Sequence, residues 1–590
     1  METNGRITTV AAVFLLLVGL TAVAPGRIIY VDDDAGGANN GSSWANAFPY
    51  LQTALSVAAS GDEIRVAQGT HRPDQGVRRS RSGTIIRAAV AAASSDASFG
   101  LKNGEAILGG FSGAGADDPN ARDVEQYETV LSGDLDADDI DLWGPGNPLY
   151  EMLRNDNSLC VVESRDTDET AVLDGFVIQS AVDSGLYNHE GSPTIANCTF
   201  LKNTSLHSGG GIRCEGGRPA LTNCLFQENS ATGFKGGAIY ASAAQLTLSD
   251  CRFIGNWAGA EGGAVCCVGS ELSLLRCTFE TNSAGEGGAI HQTDGVLTLV
   301  ECTFEGNAAT QGGATAFAAQ KASMTRCVFM KNWATGLGGA IESGGTLLTL
   351  DGCTFRGNSA GLGGAVYAFQ FTSPQIGGGP ATAMMRCLFT GNRALGSGGA
   401  LYTAYTELTI LGCTFADNWA ERAATLGWML REGDASYRLG LDNCIIWDGD
   451  TSIAAALYTR TRSSVVEGAD PNLMIRYCDV QGGWPGEGNI DADPCFAERG
   501  YWVDATSPST VVESDHDNAT WVDGDYHLQS QAGHWDPLSG SWVLDEVTSP
   551  CIDAGDPNSP LGDEPEPNGG RINMGAYGGT TEASMSSAGK

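Results

Sequence analysis

One phrase recurs along most of this chain. CTFRGNSAGLGGAVYA, residues 353–368, also appears as CTFETNSAGEGGAIHQ from Cys277 and as CTFEGNAATQGGATAF from Cys302. Eleven cysteines keep step: Cys198, Cys224, Cys251, Cys277, Cys302, Cys327, Cys353, Cys387, Cys413, Cys444 and Cys478, mostly 25 to 27 residues apart. Two residues after most of them stands an aromatic, from Phe200 to Phe415. Five after stands an asparagine, from Asn203 to Asn418, and Gly-Gly follows, from Gly209-Gly210 to Gly398-Gly399. Phe176 is expected to open the phenylalanine series without a cysteine. A fixed period of this length marks a solenoid, whose units bury their apolar faces only against neighbours.

The units read as strand. Ahead of Cys251 and Cys302 run QLTLSD and VLTLVE, where leucine alternates with period two. Cys-x-Phe alternates as well, and so does GGAIYA around Ile239 and Tyr240. Each repeat is expected to hold three short strands separated by Gly and Asn turns. Strands this short need partners, and winding once per repeat sets each beside its counterpart in the next coil, about 4.8 Å away. The expected fold is all-β, a parallel β-helix. Inward Leu, Cys, Phe and Ile/Val positions then stack on their own kind, asparagine forms an amide ladder at one corner, and glycine takes positive φ at another. Stacked parallel strands point their side chains the same way, which is poor disulfide geometry, so the cysteine column reads as buried free thiols. Cys160, Cys266, Cys267 and Cys495 lie outside that column. Zinc is the alternative reading for this set, although no C-x-x-C pair supports it.

The ends differ from the middle. Arg6, the apolar run from Val10 to Leu20 and Ala22-Val23-Ala24 read as an export signal over residues 1–24. Residues 25–150 are expected to form the N-terminal cap and first irregular coils. Leu51, Ala54, Leu55 and Ala58 there share one face of a short helix that Gly61 stops. Regular repeats fill 151–450, and irregular last coils with a C-terminal module fill 451–590. A net charge of −37 argues against nucleic acid and anionic lipid as partners. Residues 450–590 lack serial alternating strands of about ten residues, so no transmembrane barrel is expected, and the protein is read as a monomer.

With Gly287-Gly288-Ala289-Ile290 and the Phe-x-x-Asn of Phe279 to Asn282, the unit resembles the repeats of polymorphic outer-membrane proteins. It also resembles related bacterial proteins of the pectin-lyase-like class. Residues 28–55, IIYVDDDAGGANNGSSWANAFPYLQTAL, resemble the N-terminal cap of secreted β-helix proteins. SPCIDAGDP followed by INMGAYGG resembles a C-terminal surface-attachment module. The resemblance implies a right-handed parallel β-helix (a solenoid) with a short N-terminal helical cap. It implies an exported protein, secreted or at the cell surface, serving adhesion or the binding of a polysaccharide or other cell-surface ligand. Its enzymatic members imply the alternative, a polysaccharide lyase or glycoside hydrolase acting on an acidic polysaccharide.

No catalytic residue is assigned. The polygalacturonase pattern fails, since Asn-Thr-Asp, Gly-His-Gly and Arg-Ile-Lys do not occur. Two sets of candidate ligand-binding residues remain. One is the outward column after the glycines, with Arg213, Tyr240, His291, Glu342, Tyr367 and Tyr402, read otherwise as an ordinary solvent-facing column. The other is Trp257, Trp333 and Trp419, each directly after a ladder asparagine and expected three coils apart, about 14 to 15 Å. Aromatic faces at even spacing suit a linear glycan. Asp134, Asp136 and Asp138, with Asp139 and Asp141, are candidate calcium ligands, although the EF-hand pattern fails. Arg78, Arg79 and Arg81 read as an exposed loop.

Overall fold

In the computed structural model three long sheets run along one rod. The model describes residues 26–75, 95–139, 154, 156–370, 381–431, 438–449, 473–516 and 518–586, with the backbone of short strands at 77–79, 85–87, 453–458 and 463–466. The export signal, Arg81 and Asp141 lie outside the described residues, as do the side chains of Arg78 and Arg79. The first sheet has 15 strands, from Ile28–Val31 to Leu473–Arg476. The second has 14, from Gly69–His71 to Asp479–Val480, and the third has 14, from Phe99–Gly100 to Ile453–Tyr458 and Ser463–Val466. Neighbours pair in parallel, coil on coil, except where those last two strands close the third sheet antiparallel.

The sequence motifs become columns. Leu246 and Leu248 stand in register with Leu272 and Leu274, then Leu297 and Leu299. The phenylalanines from Phe200 to Phe415 stack with centroids 4.6 to 4.9 Å apart, their planes within 9° of parallel. Phe176 does not open this stack. Ile178 pairs with Phe200, so Phe176, two residues earlier, fills the slot that Cys198 takes in the next coil. All 17 cysteines are free, and the eleven of the column are buried. Column thiols turn to backbone carbonyls, as Cys251 does to that of Ser249 at 3.3 Å.

The asparagine ladder forms. Both the backbone N–H and the side-chain amide of Asn282 donate to Asn307 Oδ1 at 3.0 Å, and Asn282 Nδ2 also donates to the carbonyl of Phe253. The pattern repeats to Asn418, which donates instead to the carboxylate of Asp448. Beyond this corner the chain adds what three strands per repeat left out. A fourth, short ribbon runs in two pieces, Thr204–Ser205 to Trp257–Ala258 and Ala308–Gln311 to Trp419–Arg422.

Gly-Gly carries two separate constraints. Gly287 has φ +61°, the left-handed region that glycine favours. A Cβ on Gly288 would come within 2.1 Å of the Gly313 carbonyl oxygen in the next coil, so there the requirement is contact distance. A further left-handed corner has little glycine signature. The residue before each column cysteine has positive φ, as at Asp250 (55°), Arg276 (51°), Glu301 (55°) and Arg326 (50°). The side chains thrown outward there pair along the rod, Arg276 with Asp250 at 2.7 Å and Arg326 with Glu301.

At the N-terminal end the helix Leu51–Val57 buries Leu51, Ala54 and Leu55 against the first coils, and Gly61 follows at φ +97°. The C-terminal residues leave the coil path. They form small antiparallel sheets, such as Tyr501–Asp504 between Ser507–Val511 and Ala519–Val522. This module lies along the flank of the second sheet. Trp521, Tyr526 and Leu528 share an apolar cluster with Leu388, Ala416 and Ile445 of the coils. Arg499 pairs with Asp417, which also accepts a 2.7 Å bond from the Tyr526 hydroxyl.

Candidate functional site

The residue following the first inward residue of the third-sheet strands, mostly Ile, Val or Leu, defines the outward column. Tyr187, Arg213, Tyr240, Cys266, His291, Ala316, Glu342, Tyr367 and Tyr402 follow one another in register. Along its middle the column does not face open solvent. Cys266 is 0% exposed, His291 7%, Ala316 1% and Glu342 8%. A second row explains this. Lys235, Glu261, Glu286 and Gln311, from the turns ahead of Gly-Gly, bridge to one another in parallel beside the column. The side chains of Glu261 and Glu286 reach into it at His291.

His291 is the hub. Its Nδ1 lies 3.1 Å from Glu261 Oε2 and its Nε2 lies 3.6 Å from Glu286 Oε2. Cys266 Sγ, one coil earlier, is 3.9 Å from the same Nδ1 and 4.0 Å from Glu261 Oε2. Lys235 Nζ lies 2.7 Å from the same Glu261 Oε2. Burial disfavours charge on the ring, but its contacts with Cys266, Glu261 and Glu286 outweigh this and push the His291 pKa up to about 11. The hydrogen bond from His291 holds Glu261 down to about 2 against the effect of burial, with Lys235 adding to it. Glu342 goes the other way. Burial, helped by the negative charge of Glu286 and opposed by His291, raises it to about 7.

The remaining column residues pair among themselves. The Tyr367 and Tyr402 rings stack at 5.5 Å and 1°, so Tyr402 covers one side of Tyr367. Tyr240 is half-buried. Arg213 extends over Tyr187 at 5.7 Å, opposite Arg165 at 5.1 Å. Each arginine is paired within its own strand, Arg213 with Glu215 and Arg165 with Glu163. A shallow cleft of about 200 Å³ opens there, also lined by Asp96 and Asp183. The sequence reading missed Tyr187 and Arg165 because their coils lack Gly-Gly. Aligning Leu186-Tyr187 with Ile212-Arg213 would have found the tyrosine.

At the asparagine corner the tryptophans do share one row. Ser230, Trp257, Ser283, Ala308, Trp333, Ser359, Arg393 and Trp419 follow in register, one per coil. Trp333 is 48% exposed, while Trp257 and Trp419 are half-buried. Arg393 lies 5.2 Å over the Trp419 ring and donates to the carbonyls of Asp515 and His516. The row therefore ends against the C-terminal module.

In the acidic loop, carboxylate oxygens of Asp134, Asp138 and Asp139 lie within 4.8 Å of one another. Asp136 does not join them. Its N–H donates to Asp156 Oδ2 at 3.2 Å, and Asp139 stands in its place.

A family model described as the right-handed β-helix region matches residues 161–329. The Chlamydia polymorphic membrane protein repeat matches 352–368 and 386–404. The chain is a right-handed parallel β-helix with polymorphic-membrane-protein-type repeats. In this β-helix a further model, disaggregatase related, matches 488–555, inside the docked C-terminal module. No curated protein matches the chain. Among solved structures it is similar to pectate lyase Pel9A, at 13% identity over 94% of this chain and 97% of that one, TM-score 0.27. It is also similar to a rhamnogalacturonan lyase, at 11% identity over 80% of this chain and 91% of that one, TM-score 0.20. No helix among the described residues is long and apolar enough to cross a membrane.

Proposed function

We propose that this β-helix is an exported protein of the cell surface or exterior that binds a neutral linear polysaccharide without cleaving it. The observation that carries the reading is the tryptophan row. Trp257 and Trp333 stand three coils apart in one register, about 14 to 15 Å, separated by the small side chains Ser283 and Ala308. Low ground between two indoles suits an extended sugar chain, because aromatic faces supply contact area on a rigid frame. Trp419, already covered by Arg393, is the weaker third position. A chain of net charge −37 repels polyanions, which favours a neutral glycan over a uronic-acid polymer. Among the described residues the paired charges of the third sheet do not assemble a free base opposite a free acid.

A glycan array comparing wild type with the Trp257→Ala/Trp333→Ala variant tests this. Binding should fall by tenfold or more, since each aromatic anchor contributes on the order of 1–2 kcal/mol. Equal binding by the two proteins removes the proposal, and unsaturated product from a uronic-acid polymer would assign lyase chemistry instead. Calcium at Asp134 and Asp138, with Asp139 as third ligand, belongs to the same proposal. A rise in melting temperature with calcium, absent in Asp138→Asn, is the expected sign.

A further inference from the structure

We propose that Glu261, Cys266 and His291 form a binding site for a thiophilic divalent metal of the zinc class. Three different ligand types converge on one point, from a turn and two adjacent coils. Cys266 and His291 are register partners, so the sheet itself fixes their separation. The triangle His291 Nδ1, Glu261 Oε2 and Cys266 Sγ has sides of 3.1, 4.0 and 3.9 Å. A tetrahedral zinc with bonds of about 2.0 Å to nitrogen and oxygen and about 2.3 Å to sulfur needs sides of roughly 3.3, 3.5 and 3.5 Å. Side-chain movements of a few tenths of an ångström close that gap.

The surroundings match a metal site in a second way. Zinc-binding histidines usually give their other ring N–H to a carboxylate, which fixes the ring and raises its basicity. Glu286 stands at Nε2 of His291, on the side away from the thiol. Beyond His291 in the column comes Ala316, whose small side chain keeps the neighbouring coil clear. The Glu261 side chain remains 24% exposed, so the fourth position opens toward water. Among the described residues only this coil sets a thiol beside an imidazole in the outward column. The thiols of the cysteine column lie in the apolar core. Binding replaces the Cys266 thiol proton and the Nδ1 proton of the imidazolium by the metal and releases both to solvent. Lys235 then remains beside Glu261 as a counter-charge. The inference is independent of the glycan reading, which rests on a different corner of the coil.

The test uses the full chain freed of metal, titrated with zinc chloride alone by calorimetry and then with cobalt(II) followed by absorption. We expect one equivalent per chain and a thiolate-to-cobalt charge-transfer band. Cys266→Ser should lose the band. Cys160→Ser/Cys495→Ser, which removes the two partly exposed thiols, should keep it, and Glu286→Gln should weaken binding on the order of tenfold. A band that survives Cys266→Ser, or no uptake at one equivalent, overturns the proposal and leaves a purely ionic cluster of Lys235, Glu261, His291 and Glu286. Circular dichroism checks each fold, and Glu261→Gln, at a partly exposed turn, carries the same test should Cys266→Ser not fold.

Discussion

Glu342 shows what a single substitution does on a column whose register is fixed. Its carboxyl points out of the third sheet but is only 8% exposed, and its pKa stands at about 7 against an ordinary 4.5. Below the ordinary value the group is protonated folded and unfolded alike, and it costs nothing. Between the two values only the folded chain keeps the proton. Stability is therefore lost as pH rises from about 4.5 to about 7 and is level above that, where the buried carboxylate is charged in both states and His291 only partly offsets the cost of burial. Glu342→Gln keeps the shape and removes the charge. Denaturant unfolding should show a margin in the variant's favour that builds up from about pH 4.5 to about pH 7, reaches about 2 to 3 kcal/mol and is level above about pH 8. A difference that stays flat across this range would mean that water reaches the carboxylate.

At the scale of the element, stacked columns hold the coils together. Phe304 lies between Phe279 and Phe329 at 4.7 and 4.8 Å and is 0% exposed. Phe304→Ala should cost about 3 to 5 kcal/mol, measured by chemical denaturation. Asn307→Ala should cost about 3 kcal/mol by another route. It strands the backbone N–H and one amide N–H of Asn282, and it leaves the carbonyl of Phe279 and Asn332 Oδ1 each short of a donor. Phe304→Leu should recover much of the first loss, whereas Asn307→Asp should not recover the second, because a carboxylate can accept but cannot donate onward. These columns were legible in the sequence because a one-dimensional lattice maps residue period directly onto spatial neighbours. The fourth ribbon was less legible, because its segments are two to five residues long, too short for alternation to register. Phe176 misled because spacing from an absent cysteine left the register open by two residues. The burial of His291 and Glu342 could not be read at all. For His291 it depends on turn side chains reaching across from a parallel row, a relation that strand alternation does not carry.

At the scale of the molecule, the C-terminal module makes a large contact that does not follow coil order. Residues near 520 meet coils near 390 and 415 because the chain returns along the flank of the rod. The contact surface is made by the same corner that builds the ladder. Trp521, 4% exposed, lies over Gly357 and Gly391, where a Cβ on Gly391 would come 2.0 Å from the indole. Asp523 pairs with Arg356 at 3.5 Å, and Asp417 takes Arg499 and the Tyr526 hydroxyl. No coil needs this contact to complete its own sheets, since solenoid coils are stabilised chiefly by their neighbours. Trp521→Ala should therefore loosen the module and spare the rod. In limited proteolysis the first cuts of the variant should fall within 488–586, while residues 161–449 resist as in wild type and the main thermal transition stays in place. Were the rod to melt earlier in step with the loss of the module, the flank contact would be a structural brace of the last coils, and the two parts would fold as one cooperative unit.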